Sequence, residues 1–220
     1  MKSIALLGGT GPEGRGLALR LAMAGLDVAI GSRDPQRAAQ AAEDLNRTLS
    51  RIGSGAKIAS SGNAEAARDA EIICPVVPFR ALPPLLAELA PSLTGRTILD
   101  VTVPIIRRQG QFGIEPLEAG STAEWIRSLA PHSTVISGFK NLSAEELLHA
   151  DTPLAGDILF CCDSPDTTAW FVALTARMTA LRGIDAGPLG NARYLEGITA
   201  LLMNLNRRHK ATTSIRVLGL

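Results

Sequence analysis

Three glycines in "GTGPEG", Gly9, Gly11 and Gly14, are spaced G-x-G-x-x-G, directly after the apolar run "SIALL" and at the start of a helix-like pattern. That spacing suits pyrophosphate binding. The first glycine permits a tight turn, the second lets the anion approach the backbone, and the third allows a helix to pack closely on a strand. A helix starting there also offers unpaired N–H groups to the anion. Pro12 is tolerated at a first helical position but removes one donor, and Glu13 brings a negative charge toward the pyrophosphate unless its side chain turns outward.

The choice between dinucleotides is made at the end of the second strand, where an NAD site places an acid that accepts from the ribose 2′-hydroxyl. Here the segment reads "AIGSRDPQR". Ser32 and Arg33 occupy that position and Arg37 follows one helical turn later. A hydroxyl and two guanidiniums suit a 2′-phosphate, so the pattern predicts NADP. The alternative gives the ribose to Asp34 and leaves both arginines as solvated residues at a helix start.

Pro78, Phe79, Val103 and Pro104 end the apolar runs "EIICPVVPF" and "TILDVTVP", where open α/β sheets hold their ligands, and each is equally explained as ordinary packing. His132, His149 and His209 are not spaced as metal ligands and no Ser-His-Asp or Cys-His arrangement is evident, so no metal is expected.

Alternating strand-like and helix-like segments must position these groups. "SIALLG", a helix over 14–24, "DVAIGSR", a helix over 35–52, "KIASSG", a short helix near "NAEAARDA", "EIICPVVP", a helix near "LPPLLAELAPSL" and "TILDVTVP" follow the rhythm of βαβ units. Short apolar strands without alternation predict a parallel sheet covered on both faces. Residues 105–119 lack periodicity and are expected to form a loop over the strand ends. A helix over 121–129 follows. Next come a strand in "STVISGFKN", a helix capped by Ser143 with Glu146 three residues on, "DILFCCD" and the helix "SPDTTAWFVALTARM". A last helix over 191–209 presents Leu195, Ile198, Leu202 and Leu205 on one face. The expected fold is α/β: a Rossmann-type doubly wound parallel sheet over 1–132, with a second, smaller C-terminal α/β lobe over 133–220.

Bulk properties narrow the function classes. A chain of 220 residues, 46% hydrophobic, can bury a sizeable core, and a net charge of +1 gives no reason to expect nucleic acid or an anionic membrane. Cys74, Cys161 and Cys162 show no C-x-x-C spacing and read as buried thiols in a reducing compartment. The opening apolar run is too brief for a signal segment, and no stretch reaches the ~20 residues of a membrane span, so the expected address is the cytoplasm.

With "LLGGTG" and "GLALRLA", "GSRDP", "VVPF", "VTVP" and above all "DAGPLGNARYLEGITALLMNLNRRHK", the chain resembles the NADPH-dependent F420 reductases (F420-dependent NADP oxidoreductases) nearly end to end. The resemblance implies hydride transfer between NADP(H) and the deazaflavin coenzyme F420, in a homodimer; such a transfer depends on proximity and orientation more than on an acid, base or nucleophile, so no catalytic side chain is expected. It implies NADP contacts at Thr10, Gly11, Pro12, Glu13, Ser32, Arg33, Arg37, Phe79, Pro83 and Ala144, with the deazaflavin over the nicotinamide in a cleft against the C-terminal lobe. Lys140 and Asn141 then either meet the deazaflavin or its anionic tail, or cap a strand at the surface. Asn191 opens the last helix either as a cofactor contact or as its cap. Arg207, Arg208, His209 and Lys210 either complement the helix C-terminus or hold the cofactor's phosphate and glutamates. Two other readings remain: an NADPH-dependent reductase of a flavin, imine or ketoacid, and an NADP(H)-sensing module without turnover. The short stretch after Leu129 leaves little room for the large helical domain of the imine and hydroxyacid enzymes.

Overall fold

The structure, a computed structural model, describes residues 2–220. Its first half alternates strictly. β1 (Ser3–Leu7), α1 (Pro12–Met23), β2 (Asp27–Ser32), α2 (Pro35–Arg51), β3 (Ile58–Gly62), α3 (Asn63–Asp69), β4 (Ile72–Pro75), α4 (Leu82–Leu93) and β5 (Thr97–Asp100) follow one another. After them come β6 (Ile105–Arg108), β7 (Gln111–Ile114), α5 (Thr122–Leu129), β8 (Thr134–Ser137), α6 (Ala144–Leu147), β9 (Gly156–Cys162), α7 (Pro165–Thr175), β10 (Leu181–Asp185) and α8 (Ala192–His209). Among the described residues no helix is long and apolar enough to cross a membrane.

Eight strands make one sheet in the order β10-β9-β8-β5-β4-β1-β2-β3. From β3 to β8 every pairing is parallel. Period-two alternation splits each strand between two cores. In β1, Ile4 and Leu6 join the core formed with α1, α2 and α7, while Ala5 and Leu7 join the one formed with α3, α4 and α5. Helices thus cover both faces, as a near-continuous apolar strand pattern requires.

Two expectations need correction. Residues 105–119 are not all loop, because β6 and β7 pair antiparallel around a turn at Gln109 and Gly110. Both turn residues have positive φ, 48° and 76°, the geometry of a two-residue hairpin whose twist matches its strands. The second correction concerns Asn191, which does not cap α8 with its side chain. A 3-10 turn over Leu189–Asn191 leads into the helix, and the Asn191 amide donates to the Ala186 carbonyl at 2.7 Å.

β9 runs antiparallel to β8, with β10 parallel to β9, so the strands after residue 133 extend the first sheet. The cause lies in residues 138–155, which do not cross the sheet but fold back onto α1. Arg20 of α1, 7% exposed, donates from its guanidinium to the carbonyls of Glu146, Leu147, His149 and Thr152 and so satisfies the end of the short α6. Gly16 makes the approach possible: a Cβ there would come within 2.5 Å of the Leu147 Cβ. The chain therefore re-enters the sheet from the C-terminal edge.

Candidate functional site

A cleft of about 1000 Å³ opens at the C-terminal ends of β1, β2, β4 and β5. This is the switch point of the sheet, where the connection from β1 goes to one side and that from β4 to the other. The glycine turn forms one wall. A Cβ on Gly14 would lie 2.4 Å from the Gly9 Cα, so the third glycine packs helix onto turn with no room for a side chain. Gly11 is the opposite case, since a Cβ there would meet nothing within 4 Å and only open cleft lies beyond it. The first turn of α1 has no side-chain cap, which leaves the N–H groups of Glu13 and Gly14 available to an anion.

Glu13 does not turn outward. It lines the cleft and lies close enough to Cys74 for its charge to help raise that buried thiol's pKa. Burial pushes the Glu13 carboxyl itself up to about 7.

Ser32, Arg33 and Arg37 line the far end of the cleft. Both arginines are exposed, and neither forms an ion pair among the described residues. Asp34, the acid of the alternative reading, is already engaged. Its Oδ1 accepts from the Gln36 and Arg37 N–H groups at 3.0 and 3.4 Å as the N-cap of α2, and its own N–H donates to Ser32 Oγ at 3.1 Å. Pro78, Phe79 and Val103 supply an apolar wall, with Val76, Val77 and Val101 beside them.

Three neighbouring features escape a reading of the sequence. Asn63, 5% exposed, lines the cleft and accepts from the Gly8 N–H at 3.1 Å, tying the glycine turn to the end of β3. Pro84 and Leu85 face the cleft from α4, where Pro83 was expected. Thr102 lines the floor, and its hydroxyl is buried without a hydrogen-bond partner. The rule that strand C-termini hold the ligand covers β3 as well, where it would have found Asn63, and at β5 it reaches Val103 and Pro104 but passes over Thr102 just before them.

Residues 3–104 match the family model described as NADP oxidoreductase, coenzyme F420-dependent. The F420-dependent NADP reductase of Methanothermobacter marburgensis is 38% identical over 222 aligned residues, covering 99% of this chain and 98% of its own. The chain belongs to the F420-dependent NADP reductase family. The F420-dependent NADP reductase of Methanocaldococcus jannaschii is 33% identical over 99% of this chain and 98% of its own. The solved structure of a candidate F420-dependent NADP reductase from Arthrobacter sp. FB24 superposes with a TM-score of 0.80 over 99% of both chains at 20% identity, which bears on the fold alone.

Several residues expected to contact the cofactors of an F420-dependent NADP reductase lie elsewhere. Pro83 faces a separate groove between α4 and α5. Pro104 is buried behind the cleft wall, where its carbonyl accepts from the Glu115 N–H at 2.8 Å. Ala144 packs its carbonyl toward Gly16 on the far side of α1. Asn141 bridges to β9, donating to the Asp157 carbonyl at 2.7 Å and accepting from the Leu159 N–H at 3.2 Å.

Lys140 is neither a surface cap nor a lining residue. Its ammonium is fully buried and donates to Asp100 Oδ2 at 2.7 Å, the Thr102 carbonyl at 2.7 Å and Glu196 Oε1 at 3.0 Å. Phe139 turns the chain inward there with a left-handed backbone, φ 59°, held by edge-on packing against Phe171. Asp100 also accepts from the Thr102 N–H at 3.0 Å, and Glu196 from the Thr122 N–H at 2.9 Å. Burial raises the Asp100 pKa and the Glu196 charge adds to that, while the Lys140 ammonium opposes it. The network fixes the backbone of Thr102 from both sides, directly beneath the cleft floor.

Proposed function

We propose that this chain transfers a hydride between NADP(H) and coenzyme F420. The observation that carries the NADP half is the pair of exposed, unpaired guanidiniums of Arg33 and Arg37 beside Ser32, while the neighbouring Asp34, which also lines the cleft, has one carboxylate oxygen held in the α2 cap. The open face at Gly11 and the uncapped first turn of α1 fit a pyrophosphate. Pro78, Phe79 and Val103 fit a ring held away from water. Pro78, Phe79 and Val103 would hold the dihydronicotinamide, which when bound would supply the hydride that the deazaflavin takes up. The residues of this chain bind, orient and keep the rings dry, and none needs to act as an acid, base or nucleophile. The F420 half rests on the family, whose members named above are called F420-dependent NADP reductases.

In this reading residues 1–132 hold the dinucleotide, and residues 133–220 complete the acceptor side and the contacts of a homodimer. Tyr194 and Leu201, 65% and 55% exposed and two helical turns apart on α8, support a partner surface. Three buried, unpaired cysteines support a cytoplasmic address. Purified protein is expected to bleach the visible absorbance of F420 with NADPH, and not with NADH or with FMN as acceptor. Saturable NADPH binding without F420 bleaching would refute the acceptor assignment and leave the dinucleotide site standing.

Glu13 gives the site a pH dependence. Its neutral form tolerates the pyrophosphate and its anion repels it, so NADPH affinity is highest below pH 7 and is lost as the pH climbs through that value. From about pH 6 to about pH 8 the Kd is expected to rise several-fold. Ionisation of the cofactor's 2′-phosphate acts in the opposite sense. It is common to the wild type and Glu13→Gln, so the difference between their profiles isolates the carboxyl. Superimposable profiles would show that Glu13 stays clear of the bound anion.

A further inference from the structure

Asn63 is the first residue of α3, a place where an asparagine commonly bonds the backbone of its own segment. Here the side chain leaves its segment. Oδ1 accepts from the Gly8 N–H at 3.1 Å, across the end of the sheet. The passage is open because Gly31 carries no side chain: a Cβ there would lie 2.9 Å from Asn63 Oδ1 and 3.2 Å from its Cα. A backbone N–H can face only the oxygen of an amide, so the bond to Gly8 fixes which way the group is turned. The amino half is left with two donors and no acceptor among the described residues, on a buried side chain that lines the cleft.

The glycine turn spends its own first donors inward. The Gly8 N–H goes to Asn63, and the Gly9 N–H is shared between the Leu6 and Gly31 carbonyls, at 3.2 Å each. Pro12 has none to give. Asn63 thus takes one backbone N–H out of the turn and brings two of its own to the cleft. It bridges Gly8, where β1 enters the turn, and Gly31, which precedes Ser32 at the end of β2. The first is the pyrophosphate end of the site and the second the 2′-phosphate end, so the part of a dinucleotide that falls between them is the adenosine ribose and the phosphate attached to it. A ribose hydroxyl gives or takes a hydrogen bond, whereas a phosphate oxygen only takes. Two donors whose acceptor half is already engaged match the phosphate. We infer that the Asn63 amide is a phosphate-binding group of this site, donating to the adenosine-side phosphate of the pyrophosphate. The inference rests on the dinucleotide half of the function proposed above and is independent of the hydride acceptor.

The test compares adenosine 2′,5′-bisphosphate with adenosine 2′-monophosphate, which differ only in the 5′-phosphate, as competitors of NADPH binding. Two variants separate the donors from the other roles of the side chain. Asn63→Asp keeps an oxygen on the Gly8 N–H, removes the donors and adds a charge. Asn63→Ala removes the donors without a charge and frees the Gly8 N–H, so its unliganded melting temperature is expected to fall. Both variants are expected to lose about 10-fold in affinity for the bisphosphate, the scale of a hydrogen bond to a charged group. Both should hold the monophosphate as wild type does, which also reports that their folds are intact. A loss in Asn63→Asp alone shows charge repulsion, and a loss in Asn63→Ala alone shows that Asn63 only braces the turn. Equal losses on the two ligands place the contact at the ribose. Each of these results, like unchanged affinity in both variants, overturns the inference, while NADPH binding by wild type still supports the dinucleotide site. If wild type binds neither NADPH nor the bisphosphate, the dinucleotide reading itself fails and takes the inference with it.

Discussion

Replacement of Lys140 by methionine is expected to destabilise the protein by about 3–5 kcal/mol, the usual cost of stranding a buried charge by removing its partner. The ammonium is wholly buried and holds Asp100, Glu196 and the Thr102 carbonyl at once. Its loss leaves two carboxylates facing each other in a dry interior and a carbonyl without its donor. For a chain of this size the melting temperature should fall by on the order of 10 °C. The sign with pH follows from Asp100. Burial raises its pKa in the folded protein, so the folded form holds its proton more tightly than the unfolded chain, and stability declines as pH rises from the unfolded value through the folded one. Removing the ammonium pushes the folded value higher, so the variant should lose stability more steeply over that interval. Asp100→Asn added to the methionine variant should restore part of the loss by removing one stranded charge. Denaturant unfolding of the two variants across pH measures all of this. A loss under about 1 kcal/mol for the single variant would mean that water reaches and compensates the carboxylates.

The same cluster shows where sequence reading stops. The glycine turn and the Ser32-Arg33 strand end are local features, contained in short stretches and produced by one βαβ unit, so their spacing alone marks them. Lys140 finds its carboxylates 40 and 56 residues away, and nothing beside it in "GFKN" distinguishes a buried lysine from one at a strand end. Asn63 reaches the glycine turn across 55 residues, which only the parallel order of β1, β2 and β3 brings about. The hairpin was hidden for a different reason. Its turn is Gln-Gly, and glutamine is not among the residues that ordinarily announce a left-handed backbone. Pro83 differs from Pro84 by one position, yet on a helix that is a rotation of about 100°, enough to move a side chain from the cleft to the neighbouring groove. Strand order and apolar pattern set the sheet. The direction of β9 depended on residues 138–155 folding onto α1, a packing choice made by Gly16 and Arg20 and invisible within the segment itself.

The largest functional effect is expected at the far end of the cleft. Arg33 and Arg37 are free to meet a dianion, and each charge-assisted contact to phosphate contributes about 1.5–3 kcal/mol. Allowing for partial exposure, replacing both by alanine should lower kcat/KM for NADPH about 100-fold or more, while the value for NADH, which has no 2′-phosphate, changes little. The ratio of the two is the decisive quantity, because damage to the fold or to the pyrophosphate turn would lower both values together. Asp34 sharpens the test. Its carboxylate lines the cleft, but Oδ1 is held by the Gln36 and Arg37 N–H groups, so the double variant retains the α2 cap with that oxygen still occupied. The variant should therefore lose NADPH preference without gaining efficiency on NADH. A gain on NADH would show that Asp34 can leave its cap and serve the ribose. An equal loss on both cofactors would show that the arginines do not read the 2′-phosphate, and the dinucleotide preference would have to be sought along Thr10 and Ser32 instead.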